Sequence, residues 1–425
     1  MEKFDVAIVG GGISGLTAAS ELCRLTSCRV LILEQGQSYL ERLSSDSPNL
    51  LEGLGGAGTV GGGKLCFPPA SGEIWRKTAS QYSRSFYQQM KRQFSQFSAI
   101  PNRLHDETAI SCDFANRCYE KIYDTQLLLQ QDMSRFIQEL IQSVSRRATL
   151  CTNSRLTGYC DDANGKVVFY TDMDGQTHRI LTRFLVLACG RSFARELPQL
   201  LPATHLIQQP VDLGIRLLFP RRKSGIFYQA GQDVKLKANY GDVSVRTFCV
   251  CSGGTLATLH YYGQTYYDGH FGKEISHEVN IGILARLTDC MGTEAAIEYL
   301  MAYQDMVNRD ISLGWFLKNW KSISKKPEHE KLFSAIARFA DFLLASGRLG
   351  AGAEETRVVM PSADRLNPLV RTNEEFCTPD SRVWVIGDAA GISRGFVQSC
   401  WSGFCAAAGL VEKLSLEENR GMLWG

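Results

Sequence analysis

The chain has 425 residues, 44% of them hydrophobic and 21% charged, enough for two or three compact units with their own cores. A formal net charge of +2, with both signs spread along the chain, excludes a strong electrostatic pull toward nucleic acid or an anionic membrane. No stretch approaches the roughly 18–20 continuous apolar residues of a membrane span, and the one basic knot, Arg221-Arg222-Lys223, reads as a solvated turn.

Residues 4–9 read as a short buried strand, apolar and β-branched, with a glycine cluster behind it. Residues 13–25 follow as a helix with Ala18, Ala19, Leu22 and Leu25 on one apolar face, and residues 29–33 as a second strand running into Glu34. Together they predict a βαβ unit. Residues 50–72 hold eight glycines from Gly53 to Gly72 and predict irregular backbone. Residues 74–148 read as polar and mostly helical. Strands follow at 154–159, 167–171 and 178–181, with Asn164-Gly165 and Asp174-Gly175 as hairpin turns. Residues 183–188 form another buried strand ending in Cys189-Gly190.

Residues 205–262 alternate and predict a second sheet, with strands at 214–219, 243–251 and 255–262. Residues 291–345 read as mostly helical. Residues 383–386 are a last buried strand into Gly387-Asp388, and 395–413 a long helix rich in Ala and Gly. The expected fold class is α/β: a Rossmann-type dinucleotide-binding domain with an inserted domain of mixed β-sheet plus helix that binds substrate. The expected boundaries are 1–204, including the helical segment 74–148, then 205–352 for the insert, then 353–425 for the rest of the cofactor domain.

Fourteen cysteines are scattered through these elements with no C-x-x-C pair and no zinc spacing. They read as buried thiols in a reducing compartment, so the expected location is cytoplasmic, with no metal site. The apolar run from Val6 is broken by Gly10, Gly11 and Gly12, which argues against a secretory leader.

Gly10-Gly11-Gly12-Ile13-Ser14-Gly15 is G-x-G-x-x-G between a predicted strand and a predicted helix. Each part has a mechanical reason. Gly10 turns the chain out of the strand, Gly12 lets the backbone approach a pyrophosphate, and Gly15 lets the helix pack on the sheet. Free N–H groups at the helix start face the phosphate charge. Glu34 ends the second strand, where a carboxylate accepts both ribose hydroxyls and repels a 2′-phosphate. The ligand is therefore FAD or NAD rather than NADP.

The segments DVAIVGGGISGLTAASEL, VLILEQG, FLVLACGR (184–191) and VWVIGDAAG (383–391) resemble the two-dinucleotide-binding-domain flavoproteins. LGGAGTVGGGKL (54–65), VDLGIRLLFP (211–220), VRTFCVCSGG (245–254) and GDAAGISRGFVQSCWSG (387–403) narrow the resemblance to a poorly characterised group of bacterial FAD-dependent dehydrogenases within it. Two departures stand out. Val60-Gly61-Gly62 replaces the group's usual residue-Ser-Asp, and Ser252 replaces its usual Pro.

The resemblance implies an FAD-dependent oxidoreductase that moves a hydride between flavin N5 and a small organic substrate. It implies cofactor contacts from Gly10, Gly12, Ile13, Ser14, Gly15, Glu34, Gln35, Gly58, Gly63, Lys64, Gly190, Gly387, Asp388, Gly395, Phe396 and Val397. No second G-x-G-x-x-G stands between a predicted strand and a predicted helix to mark a dedicated NAD(P)H domain, so NAD(P)H or an electron-carrier protein would be met transiently. The rival readings are a flavin monooxygenase that uses NAD(P)H and O2, and a non-catalytic FAD-containing partner protein.

Catalytic candidates are Lys64 and Arg394, cations expected beside the flavin to tune its charge or hold an acidic substrate. Arg216 and Arg246 lie on predicted strands of the insert, where a buried guanidinium needs either an ion pair or a substrate carboxylate. His260, Tyr261 and Tyr262 read as packing or as acid–base groups. Cys249 and Cys251 share a face of a predicted strand, a geometry that closes poorly into a disulfide. Trp315 and Trp320 read as helix aromatics.

Overall fold

The computed structural model describes residues 1–45, 49–78, 83–94, 109–113 and 118–419. Among these, no helix is long and apolar enough to cross a membrane. The architecture is α/β, with a Rossmann-like unit and further sheets.

Strand β1 (Glu2–Val9), helix α1 (Ile13–Leu25) and strand β2 (Val30–Leu33) form the expected βαβ unit. β1 sits in the middle of the first sheet, parallel to β2 on one side and to Thr177–Leu187 on the other. Ala148–Cys151 extends the parallel set beyond β2. Because strands buried on both faces need not alternate, β1 and β2 read as near-continuous apolar runs.

Two strands expected at 178–181 and 183–188 are one strand, Thr177–Leu187. The interruption in the pattern is Thr182-Arg183, and both residues are buried. Arg183 is held there by Asp5 at 3.0 Å and Glu417 at 2.7 Å, so the guanidinium ties β1 to the last helix. One edge of this strand serves two partners: Gly165–Thr171 pairs antiparallel with its first half, and Val383–Val385 pairs parallel with its end. The last helix, Phe396–Asn419, packs on α1. Gly403 makes that crossing close, since a Cβ there would lie 2.6 Å from the Ser14 carbonyl oxygen.

The second sheet has eight described strands, all in antiparallel pairs, in the order 311–312, 357–364, 210–220, 278–291, 243–252, 235–240, 118–122, 109–113. Helices Gly292–Ala302 and Pro327–Ala345 cover it. Its core is separate from that of the first sheet and is built on Val211, Ile215, Val245, Ile281, Ile283, Leu300, Phe333 and Phe339.

The helical expectation for 74–148 fails in part. Gly72–Thr78, Ser83–Phe94 and Gln130–Ser145 are helices, but Ala109–Asp113, Cys118–Ile122 and Thr125–Leu128 are strands. Residues 79–82, 95–108 and 114–117 of that stretch lie outside the described residues. The strands are only four or five residues long, and their support comes from strand 235–240 and from Gly63–Cys66 at the end of the glycine-rich stretch. The second sheet also takes Arg357–Asp364, so its strands come from beyond 205–352 on both sides.

Candidate functional site

A cavity of about 350 Å³ opens at the carboxyl ends of the first sheet's parallel strands, where α/β folds place their ligands. Its wall includes Gly10, Gly12, Ile13, Ser14, Glu34, Gln35, Gly58, Gly63, Lys64, Gly190, Asp388, Gly395 and Phe396. Segments from the start, the middle and the end of the chain therefore meet around one space.

The three fingerprint glycines divide their work. Gly10 has φ +111°, and a Cβ there would meet the Ala188 carbonyl oxygen at 2.3 Å. A Cβ on Gly15 would sit 2.0 Å from the Gly10 carbonyl oxygen. Both are closed by backbone, as a tight turn and a close helix require. Gly12 caps α1 with ordinary backbone angles, and nothing lies within 4 Å of its Cβ position. No side chain caps this helix and no acid occupies its first turn. The cavity thus borders uncapped N–H groups with open space in front of them, which is what a pyrophosphate needs. Gly15, Gly387 and Val397 are not on the wall. Gly387 (φ +67°) lies against Ser14, and Val397 is fully buried.

Glu34 is buried and already occupied in part. It accepts N–H bonds from Gly11 at 2.7 Å and from Gly36 and Gly53, both at 2.9 Å. The carboxylate thereby pins the glycine-rich segment over the fingerprint turn. A carboxylate has about four lone-pair positions, so room remains for a ribose hydroxyl. Arg42 supports the same segment by donating to the carbonyls of Gly53, Leu54 and Gly56.

At the other end of the chain, Asp388 receives the Nε–H of Arg191 at 3.1 Å. Arg191 follows Gly190 directly and also reaches Tyr266 and Asp268. Sequence reading passed over it, although it closes the quoted FLVLACGR segment.

Lys64 stands between this cavity and a second one of about 500 Å³. It is not a free cation. Its ammonium pairs with Asp233 at 2.6 Å and donates to the Val250 carbonyl. Asp233 also accepts from Tyr123 and from the Val250 N–H. Burial opposes both charges, but each charge stabilises the other, so Lys64 is held above the ordinary lysine range and Asp233 well below the carboxylate range. Nothing local in the sequence marks Asp233, which is 169 residues away.

Arg394 and Arg246 line the second cavity, and both contact Asp364. Arg246 also donates to Asp212, which takes a forked pair of bonds from Arg286 at 2.6 and 2.8 Å. Burial works against the Asp212 anion, but Arg246 and Arg286 outweigh it and keep the carboxyl far below its usual range. Lys235 faces the same space with no ion pair of its own among the described residues. Burial and the nearby Arg246 push its ammonium down to about 8.

Arg216 does not join this wall. It is fully buried beneath the sheet and spends its guanidinium on Asn280, Asp268 and the Cys249 carbonyl. Tyr261 and Tyr262 pack edge to face and are on the wall of neither cavity, and His260 is exposed. Trp315 is a partly exposed aromatic on helix Leu313–Ile323.

The cysteine geometry departs from a regular strand. The register shifts between Phe248 and Cys251, and Cys249 takes φ +43°. The two sulfurs approach to 3.7 Å, and Cys249 lies on the second cavity. A hydrogen bond from Cys251 holds the Cys249 thiol below its usual range.

Residues 8–39 match the model of the NAD(P)-binding Rossmann-like domain. The N-terminal βαβ unit is Rossmann-like. No curated protein matches the chain by sequence. Among solved structures, the chain is similar to a geranylgeranyl bacteriochlorophyll reductase-like protein from Thermoplasma acidophilum, at 13% identity and TM-score 0.47, over 99% of this chain and 80% of that one. It is also similar to a flavoprotein/dehydrogenase from Cytophaga hutchinsonii, at 12% identity and TM-score 0.44, over 100% and 80%. A third is p-nitrophenol 4-monooxygenase from Pseudomonas putida, at 14% identity and TM-score 0.42, over 98% and 81%.

Proposed function

We propose that the chain is an FAD-dependent oxidoreductase, a dehydrogenase or reductase acting on a small organic substrate held in the second cavity. The observation that carries this is the shared wall: Lys64, Arg191 and Gly395 line both the dinucleotide cavity and its neighbour. When bound, FAD would supply the hydride acceptor or donor at its N5. FAD is favoured over NAD because Asp388, Gly395 and Phe396, from the far end of the chain, close the same cavity as the fingerprint.

The roles of the protein's own groups follow from their positions. The N–H groups after Gly12 would hold the pyrophosphate, and Glu34 would take an adenosine ribose hydroxyl. Asp388, steadied by Arg191, would accept from the ribityl chain. The Lys64–Asp233 pair fixes a dipole at the shared wall without leaving a net charge there. Substrate would be oriented by the ionic wall of the second cavity, which supplies position and electrostatics rather than bond making.

The test is an anaerobic absorbance titration of the FAD-loaded protein with NADH and then NADPH. Bleaching of the flavin band by either nucleotide identifies a transient nicotinamide donor. Bleaching by dithionite alone assigns the electrons to substrate or to a carrier protein. A chain that takes up no FAD overturns the proposal.

A further inference from the structure

The second cavity carries far more positive than negative charge. Among the described residues, ten on its wall are Lys or Arg, and five are Asp or Glu. Internal pairing does not remove the excess, because the carboxylates are shared. Asp212 serves both Arg246 and Arg286, and Asp364 serves both Arg246 and Arg394. Among the described residues, Arg76, Lys121, Lys235 and Lys237 on this wall make no ion pair. Three guanidinium Nε atoms, on Arg246, Arg365 and Arg394, are buried with no hydrogen-bond partner among the described residues. The Arg365 side chain is only 9% exposed.

Buried charge of one sign is costly unless paired, and unpaired buried donors add to the cost. Fixed clusters of this kind attract counter-charge into the cleft they line. A single carboxylate would leave most of the excess uncompensated. A volume of about 500 Å³ suits a small molecule rather than a polymer. Guanidinium and ammonium groups from several strands fit anionic oxygens spaced apart on one compact molecule.

We infer that the second cavity binds a small organic substrate with at least two anionic groups, carboxylate or phosphate, whose reacting carbon lies at the wall shared by Lys64, Arg191 and Gly395. This rests on the proposed function, in that the adjoining cavity holds the redox cofactor. The anionic groups sit against Arg246, Arg394, Arg365 and Lys235, none of which is on the wall of the cofactor cavity. Lys237 and Arg76 are exposed and stand at the entrance.

The experiment is calorimetric titration of the FAD-bound protein with tricarballylate, with inorganic pyrophosphate and with the neutral triamide of tricarballylate, at low and high salt. One or both anions bind at one site, weaken as salt rises, and outcompete the triamide. The tighter anion identifies the group as carboxylate or phosphate. Lys237→Gln and Arg76→Gln, exposed substitutions at the entrance that leave the fold alone, each weaken anion binding about two- to fivefold, the worth of one solvent-screened charge, and leave FAD content unchanged. Equal binding of the triamide, or no binding of either anion with FAD in place, overturns the inference. A chain without FAD refutes the proposed function instead. Charge-selective binding to that FAD-free chain still supports an anion site, and its absence overturns it.

Discussion

Replacing Gly12 by alanine separates cofactor binding from folding. Gly12 has φ −76° and ψ −176°, angles any L-residue adopts, and its Cβ position is empty to 4 Å. In the protein alone, Gly12→Ala reduces the freedom of the unfolded chain by about 0.4–1 kcal/mol and loses a comparable amount as a poorer helix cap. The melting temperature should therefore barely move. With a pyrophosphate against the turn, the added methyl occupies ligand space. Forcing a methyl into a packed site costs about 1–3 kcal/mol, or roughly a 5- to 150-fold weaker FAD affinity. Gly15→Ala is the contrast, since its Cβ would lie 2.0 Å from the Gly10 carbonyl oxygen. That variant should lose stability outright. Thermal melting of each apoprotein, followed by titration with FAD monitored by flavin fluorescence, measures both quantities. The reasoning fails if Gly12→Ala binds FAD as tightly as the native chain, or if it melts as early as Gly15→Ala.

Lys235 predicts a pH dependence. Its folded pKa of about 8 lies below the unfolded value of about 10.4, so the unfolded chain binds more protons between these limits. Stability from this group therefore rises with pH across that window, and chemical denaturation of Lys235→Met at several pH values should show the rise removed. Anion binding needs the charged form, so tricarballylate affinity should fall as pH climbs past about 8, and the same substitution should flatten that step in calorimetry. Cys249 lines the second cavity with its thiol held low, whereas Cys251 is buried with its thiol pushed well up. Timed alkylation followed by peptide mass spectrometry should label Cys249 first, and an anion seated in the cavity should protect it. Equal labelling of both would contradict the geometry.

The nucleotide half of the molecule is legible in sequence because its determinants are local. Ile13–Leu25 is a helix at its expected bounds, and the acid after β2 reaches the glycine turn as its spacing requires. The second sheet is much less so. Its strands Lys235–Tyr240, Glu278–Met291 and Arg357–Asp364 carry no strong punctuation of their own. Gly282, which reads as a breaker, sits mid-strand and faces the Phe248 carbonyl oxygen 3.0 Å from its Cβ position. The cation wall is hidden for the same reason. Lys64 and Asp233, or Arg246 and Asp364, become neighbours only when strands from distant parts of the chain align. A lysine in a glycine loop signals exposure. Its burial here depends on a partner that no local pattern announces.

The common wall has a thermodynamic corollary. Lys64, Arg191 and Gly395 each line two cavities, so on the proposed function a charged molecule entering either one changes the field and the packing felt in the other. Linkage then requires reciprocity: whatever factor an anion applies to the dinucleotide's affinity, the dinucleotide applies to the anion's. Arg191 touches Asp388 on one side and approaches Asp268 on the other, and is therefore the side chain through which that factor would be set.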